Sequence, residues 1–177
     1  ASRAAFAALK ARYPKWEDLL ADRPARVRRI LKPAGLSRTK TAHIREALRM
    51  LRREFGRCTL EPLRGRPAEE IEAYLKLLPG VSQKVATCVM LFALGFEVLP
   101  VDVHVHRIAR RLGWSVARSP ERCQRDLEAL VRPPRRYAFH VNCIAHGRAL
   151  CRPQRPRCLE CPVARYCAFA QGSARSE

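Results

Sequence analysis

The stretch "LPGVSQKVATCVMLFALGFEVLPVDVHVHR", residues 78–107, holds a tight turn, one lysine, an apolar run and one aspartate. Pro79 and Gly80 end one helical pattern, and a second begins almost at once. That second helix takes in Lys84, Ala86 and the apolar residues as far as Leu94, with Gly95 at its end. Two helices joined so tightly leave the first N–H groups of the second exposed and clustered. Gly80 can adopt φ > 0 and so lets a ligand come close to the backbone. Such a turn can serve as an anion site, or simply as an ordinary connection between two core helices. "VDVHVHRIARRLGW" follows as a further helix, with Asp102 at its start and Gly113 at its close.

Helical periodicity recurs from end to end, and strand signals are almost absent. The opening "ASRAAFAALKARYPKWEDLL" is amphipathic and is interrupted by Pro14. Asp22 reads as an N-cap with Pro24 in the first turn, and Lys32-Pro33 closes that helix. Ser37 reads as the next cap, Ile44, Leu48 and Leu51 mark an apolar stripe, and Gly56 is placed to end the helix. After a loop over 57–66, "PAEEIEAYLKLL" carries Glu69 and Glu70 where a helix N-terminus favours acids. Ser119 with Pro120 starts another helix, and "YAFHVNCIAHGRALC" leads into a cysteine-rich end. The fold class is all-α.

The charge balance narrows the partner. Lys and Arg number 35 against 16 Asp and Glu, for a net charge of +19 and a pI near 10.8. That excess predicts a polyanion, most simply nucleic acid. Arginine far outnumbers lysine, so codon preference is a second source of the excess. The longest apolar run, Val85 to Phe96, is too short to span a bilayer, and no secretory leader opens the chain. These features predict an intracellular protein without a membrane partner, in a compartment that keeps thiols reduced.

The eight cysteines then need another explanation. Cys151, Cys158, Cys161 and Cys167 follow the spacing C-x6-C-x2-C-x5-C in a Pro-rich segment. Four thiols so close indicate metal. Structural zinc usually shows paired C-x2-C knuckles and only one is present, while four thiolates suit a 4Fe–4S cluster equally well. Cys58, Cys88, Cys123 and Cys143 are isolated and read as small core residues.

Lys84 stands out because a basic surface would be served as well by arginine. In the first turn of its helix a cation opposes the dipole, and the apolar neighbours suggest a partly desolvated stem; both favour the free amine. Such an amine can attack the sugar C1′ of a nucleotide whose base is leaving. The plainer role is a phosphate contact. Asp102 reads as an N-cap, and a carboxylate held by capping is also rigid enough to stabilise developing positive charge at C1′. One apolar helix and a turn separate it from Lys84. His104 and His106 lack partners at metal-ligand spacing, and packing explains them as well as a role in the site.

Leu78, Pro79, Gly80, Val81, Lys84 and Ala86 resemble the helix-hairpin-helix of base-excision DNA glycosylases, with Ser82 where that motif has a second glycine. Asp102 and His104 match the family's V-D-x-H pattern, and the four cysteines are similar to the C-terminal iron–sulfur loop of endonuclease III-type enzymes. The resemblance implies two helical lobes with a DNA-binding cleft between them. They would be residues 1–96, with the hairpin at about 67–95, and 97–177, ending in the cluster loop 151–167. It implies Lys84 as nucleophile with Asp102 assisting, Gly80, Ser82 and His104 at the DNA, and a 4Fe–4S cluster on Cys151, Cys158, Cys161 and Cys167.

The expected activity is excision of oxidised pyrimidines from duplex DNA followed by AP lysis. The expected protein is a cytoplasmic, nucleoid-associated monomer acting on damaged bases or abasic sites. A mismatch-specific adenine or thymine glycosylase is the nearest alternative; the adenine branch usually lacks the hairpin lysine and carries a further C-terminal domain. A non-catalytic iron–sulfur DNA-binding module is the other. Family members also carry a helical segment before the point where this chain opens at Ala1, so a missing segment is expected there.

Overall fold

The computed structural model describes residues 2–173; Ala1 and residues 174–177, at the outer ends of the two expected lobes, lie outside the described residues. All regular elements among them are helical. The chain divides into two units, Ala1–Ser82 and Gln83–Glu177, at a point inside the hairpin rather than after Phe96.

The first unit contains α1 (Ser2–Arg12), α2 (Trp16–Ala21), α3 (Pro24–Leu31), α4 (Ser37–Phe55) and α5 (Ala68–Leu77). Pro14 separates α1 from α2, as its missing N–H requires. The core gathers Leu9, Tyr13, Leu19, Val27, Leu31, Leu48 and Leu51, with α4 packed on α2 and α3. Leu19 and Val27 are fully enclosed, each contributing about 1.5–3 kcal/mol by leaving water. Arg45 of α4 is also buried, and its guanidinium donates to the carbonyls of Leu19 (2.7 Å), Asp22 (2.8 Å) and Leu20 (3.0 Å). It thereby satisfies the orphan acceptors at the end of α2.

Two caps differ from the sequence reading. Arg23, not Asp22, occupies the N-cap position of α3 without a side-chain bond. The Asp22 carboxylate is taken instead by the Arg23 N–H, the Tyr13 hydroxyl and Arg26. Ser37 lies inside α4, whose N-cap is Leu36 at φ 48 and ψ 36, a left-handed and exposed leucine.

The second unit begins with α6 (Gln83–Val89), which runs into a π-helical turn, Met90–Leu94, ended by Gly95 at φ 78. Apolar periodicity predicts one continuous α-helix here, because a π turn leaves no mark on it. An extended segment leads to α7 (Val103–Leu112), followed by α8 (Pro120–Leu130), α9 (Arg136–Ala149) and α10 (Ala168–Ser173). Ser119 caps α8 through the Arg122 N–H, as read from sequence. Leu99, Val101, Val105, Ile108, Leu127, Cys123 and Cys143 form the core beneath α7, α8 and α9. Cys58, Cys123 and Cys143 are buried as expected, whereas Cys88 is only partly so. Among the described residues no helix is long and apolar enough to cross a membrane.

Candidate active site

Gly80 has φ 78, and the Val81 N–H closes the turn on the Leu78 carbonyl at 3.1 Å. A Cβ at Gly80 would also collide with the His43 imidazole of α4, so backbone conformation and close packing both demand glycine. Ser82 is not left-handed: among the described non-glycine residues only Leu36 and Arg155 have positive φ. Serine in place of the motif's second glycine therefore carries no such strain.

Lys84 sits in the first turn of α6 and is exposed, not partly desolvated as its neighbours suggested; burial begins at Ala86 and Thr87. Asp102 is the N-cap of α7, where Oδ1 accepts from the N–H groups of His104 and Val105, both at 2.9 Å. The two expected catalytic residues act on a common set of neighbours. Burial raises the Cys88 thiol above its ordinary value, the Lys84 ammonium opposes that rise, and the Asp102 carboxylate adds to it. His140, enclosed in α9, has a pKa lowered chiefly by burial; its hydrogen bond to the Pro100 carbonyl and the Asp102 charge resist, and Lys84 reinforces the fall. The Cys143 thiol is pushed up to about 12 by burial, then by Asp102 and Cys151. Lys84, Asp102, Cys88, His140 and Cys143 thus share one neighbourhood within the second unit. Nothing in the sequence marks His140, one of two histidines in α9, because its place depends on how that helix packs.

His104 is partly buried and faces protein. An Arg107 N–H lies 3.1 Å from its Nδ1, and since arginine only donates, Nδ1 accepts. Arg107 also donates to the carbonyls of Gly147 (3.1 Å) and Cys151 (3.0 Å). A Cβ at Gly147 would lie 2.7 Å from His104 Nδ1, so glycine is what admits this pair.

Cys151, Cys158, Cys161 and Cys167 line one small, mainly apolar cavity with Ile108 and Arg111 of α7, His146 of α9 and Phe169 of α10. The Cys158 thiol is raised by burial and then by the charges of Cys167, Cys151 and Cys161, so it lies within electrostatic reach of each of the other three. Arg111 donates to Cys151 Sγ (3.3 Å) and to the carbonyls of Arg152 (2.7 Å) and Pro153 (2.9 Å), while its plane lies over Phe169. Among the described residues no three His, Cys, Asp or Glu side chains converge tightly enough to hold a single ion. Four free thiols on one cavity beside a guanidinium nonetheless match, in ligand type and number, what a 4Fe–4S cluster requires.

The family model for "HhH-GPD superfamily base excision DNA repair protein" matches residues 1–133. Endonuclease III of Thermotoga maritima is 32% identical over 165 residues, covering 93% of this chain and 73% of that protein. The chain belongs to the endonuclease III family. An Arabidopsis thaliana protein that bears the name of a DNA glycosylase is 36% identical over 149 residues; the match covers 83% of this chain but only 50% of the plant protein's length. The endonuclease III fold is also that of a solved non-covalent endonuclease III–DNA complex, with a TM-score of 0.81 and 25% identity over 97% of this chain and 76% of that one.

Proposed function

We propose that the protein is a bifunctional DNA glycosylase with AP-lyase activity, acting as a monomer in the cytoplasm or nucleoid on duplex DNA that carries oxidised pyrimidines or abasic sites. The observation that supports this reading is the base-excision repair family match over residues 1–133, with Lys84 in the first turn of α6 and Asp102 as the N-cap of α7. The damaged nucleotide is extruded, a step costing a few kcal/mol and easiest for distorted pairs. The Lys84 ammonium gives a proton to water, and its amine attacks C1′ as the C1′–N bond breaks and the base leaves with the bonding pair and takes up a proton. Asp102, with Oδ1 fixed by the α7 cap, stabilises the positive charge that builds on the sugar. Loss of the sugar-ring bond gives a protonated imine, which acidifies the C2′ proton; its removal expels the 3′ phosphate by β-elimination.

The hairpin at Gly80 and Ser82 faces phosphate through its backbone N–H groups, and His104 supports the wall beside Asp102. Cys151, Cys158, Cys161 and Cys167 are the ligands for a 4Fe–4S cluster, which fixes the fold of the C-terminal loop when bound. Arg152, Arg155 and Arg157 in that loop supply charge for the DNA backbone. No step of excision requires electron transfer. Iron and sulfide content of anaerobically purified protein tests the ligand assignment: four irons per chain support it, and a single zinc contradicts it.

The activity is tested by incubating the parent and Lys84→Gln with duplexes containing thymine glycol, a G:T or A:G mismatch, or no lesion. Incision of the thymine glycol strand by the parent alone supports the reading. Incision confined to a mismatch replaces the substrate class, and salt-sensitive binding without incision of any duplex favours a DNA-binding module.

A further inference from the structure

The extended segment that delivers Asp102 to its place is held at three points. The Arg136 guanidinium donates to the Glu97 carbonyl at 2.6 Å, and the Leu99 N–H donates to Glu128 Oε1 at 2.8 Å. The third anchor, nearest to Asp102, is the 2.8 Å contact between His140 Nδ1 and the Pro100 carbonyl. The first lies at an exposed position and the second is partly buried, but the third is buried, with His140 only 2% exposed. A carbonyl can only accept, so Nδ1 carries the proton in this contact. The ring is wedged as well. Phe92, in the π turn that follows the Lys84 helix, meets it edge-on with ring centroids 5.6 Å apart, and also meets Tyr137 of α9 edge-on at 5.5 Å. One side chain of α9 therefore touches both the continuation of the helix bearing Lys84 and the segment bearing Asp102.

We infer that His140 is a positioning residue for the reaction: through its Nδ1–H on Pro100 it sets the location of Asp102 relative to Lys84, without itself touching substrate. A bond to a backbone carbonyl two residues before a carboxylate transmits directly, because Pro100 has fixed φ and Asp102 is locked by its own cap. Misplacing a reacting group by about 1 Å is enough to cost on the order of a hundredfold in rate. This role rests on the proposed function, since it needs Lys84 and Asp102 to be the reacting pair.

Asparagine and glutamine separate this role from its rivals, because the Asn amide nitrogen overlays Nδ1 while that of Gln overlays Nε2. On a thymine glycol duplex under single-turnover conditions, His140→Asn should stay within about threefold of the parent, whereas His140→Gln and His140→Leu should fall by at least about tenfold. DNA affinity should change by less than about twofold in all three. Rescue by Gln and not Asn would mean that Nε2 acts directly, and equal loss in Asn and Gln would leave only packing; either overturns the inference. So does a His140→Leu rate within about threefold of the parent. A second arm does not depend on activity. The 15N shifts of His140, assigned by difference against His140→Asn, should report the neutral Nδ1–H tautomer at pH 7.5, and the Nε2–H tautomer would overturn the anchor. An inactive parent would strike the proposed function while this arm still judged the anchor.

Discussion

Among the described residues, Arg45 in the first unit and His140 in the second are buried nitrogen-bearing side chains bonded to main-chain carbonyls. The bonds are of the same kind, but the groups they hold are not. Arg45 gathers the Leu19, Leu20 and Asp22 carbonyls, which belong to the end of α2, inside a leucine-rich core. His140 holds the Pro100 carbonyl, two residues from Asp102, where the charges of both Asp102 and Lys84 reach it. A buried polar group thus acquires its consequence from the carbonyl it holds. Arg45 completes a helix end; His140 aims a carboxylate.

The contrast can be broken most decisively at Asp102. In Asp102→Asn the amide oxygen still caps α7, so the fold stays while the charge goes. The single-turnover excision rate should fall by about a hundredfold or more, with thermal stability close to the parent's. A full-rate Asp102→Asn enzyme would mean that Asp102 is a cap and nothing else. Arg45→Leu should do the reverse. Three carbonyls lose a charged donor, which predicts a loss of about 2–4 kcal/mol in denaturant unfolding. The rate per folded molecule should stay within about twofold, and a larger kinetic than thermodynamic effect would make Arg45 part of the site after all.

The smallest expected effects concern the buried thiols. Cys58 is raised to about 11 and Cys143 to about 12, mainly by burial. Their folded values lie above the ordinary thiol range near 8.5, so the stability they contribute is complete below that range and declines as pH rises through the folded values. At pH 8 both are protonated and should resist alkylation in the folded protein. Labelling of either faster than Cys88 would show that its half of the core opens.

Features fixed by local chemistry were legible in the sequence. Gly80, Gly95 and Gly113 each adopt positive φ where a helix had to stop, and Ser119 caps its helix because nothing else competes for its hydroxyl. Asp22 and Ser37 have equally good capping side chains, but tertiary structure overrode them. Tyr13 and Arg26 claim the Asp22 carboxylate, and a left-handed Leu36 starts α4 one residue early. Lys84 and Asp102 were visible as residue types in a motif. The exposure of Lys84, the π turn after its helix and the presence of His140 beside Asp102 depend on how α6 and α9 pack, and periodicity carries no record of that.

The whole reaction turns on Lys84 forming the covalent bond to DNA. Borohydride reduction during incubation with a thymine glycol duplex, followed by proteolysis and mass mapping of the adduct, tests it most directly. A base lesion is preferable to a preformed abasic site, whose exposed aldehyde condenses with any surface lysine. One adduct is expected, on Lys84, and it should be absent from Lys84→Gln. An adduct on another lysine, or one that survives in Lys84→Gln, would contradict it.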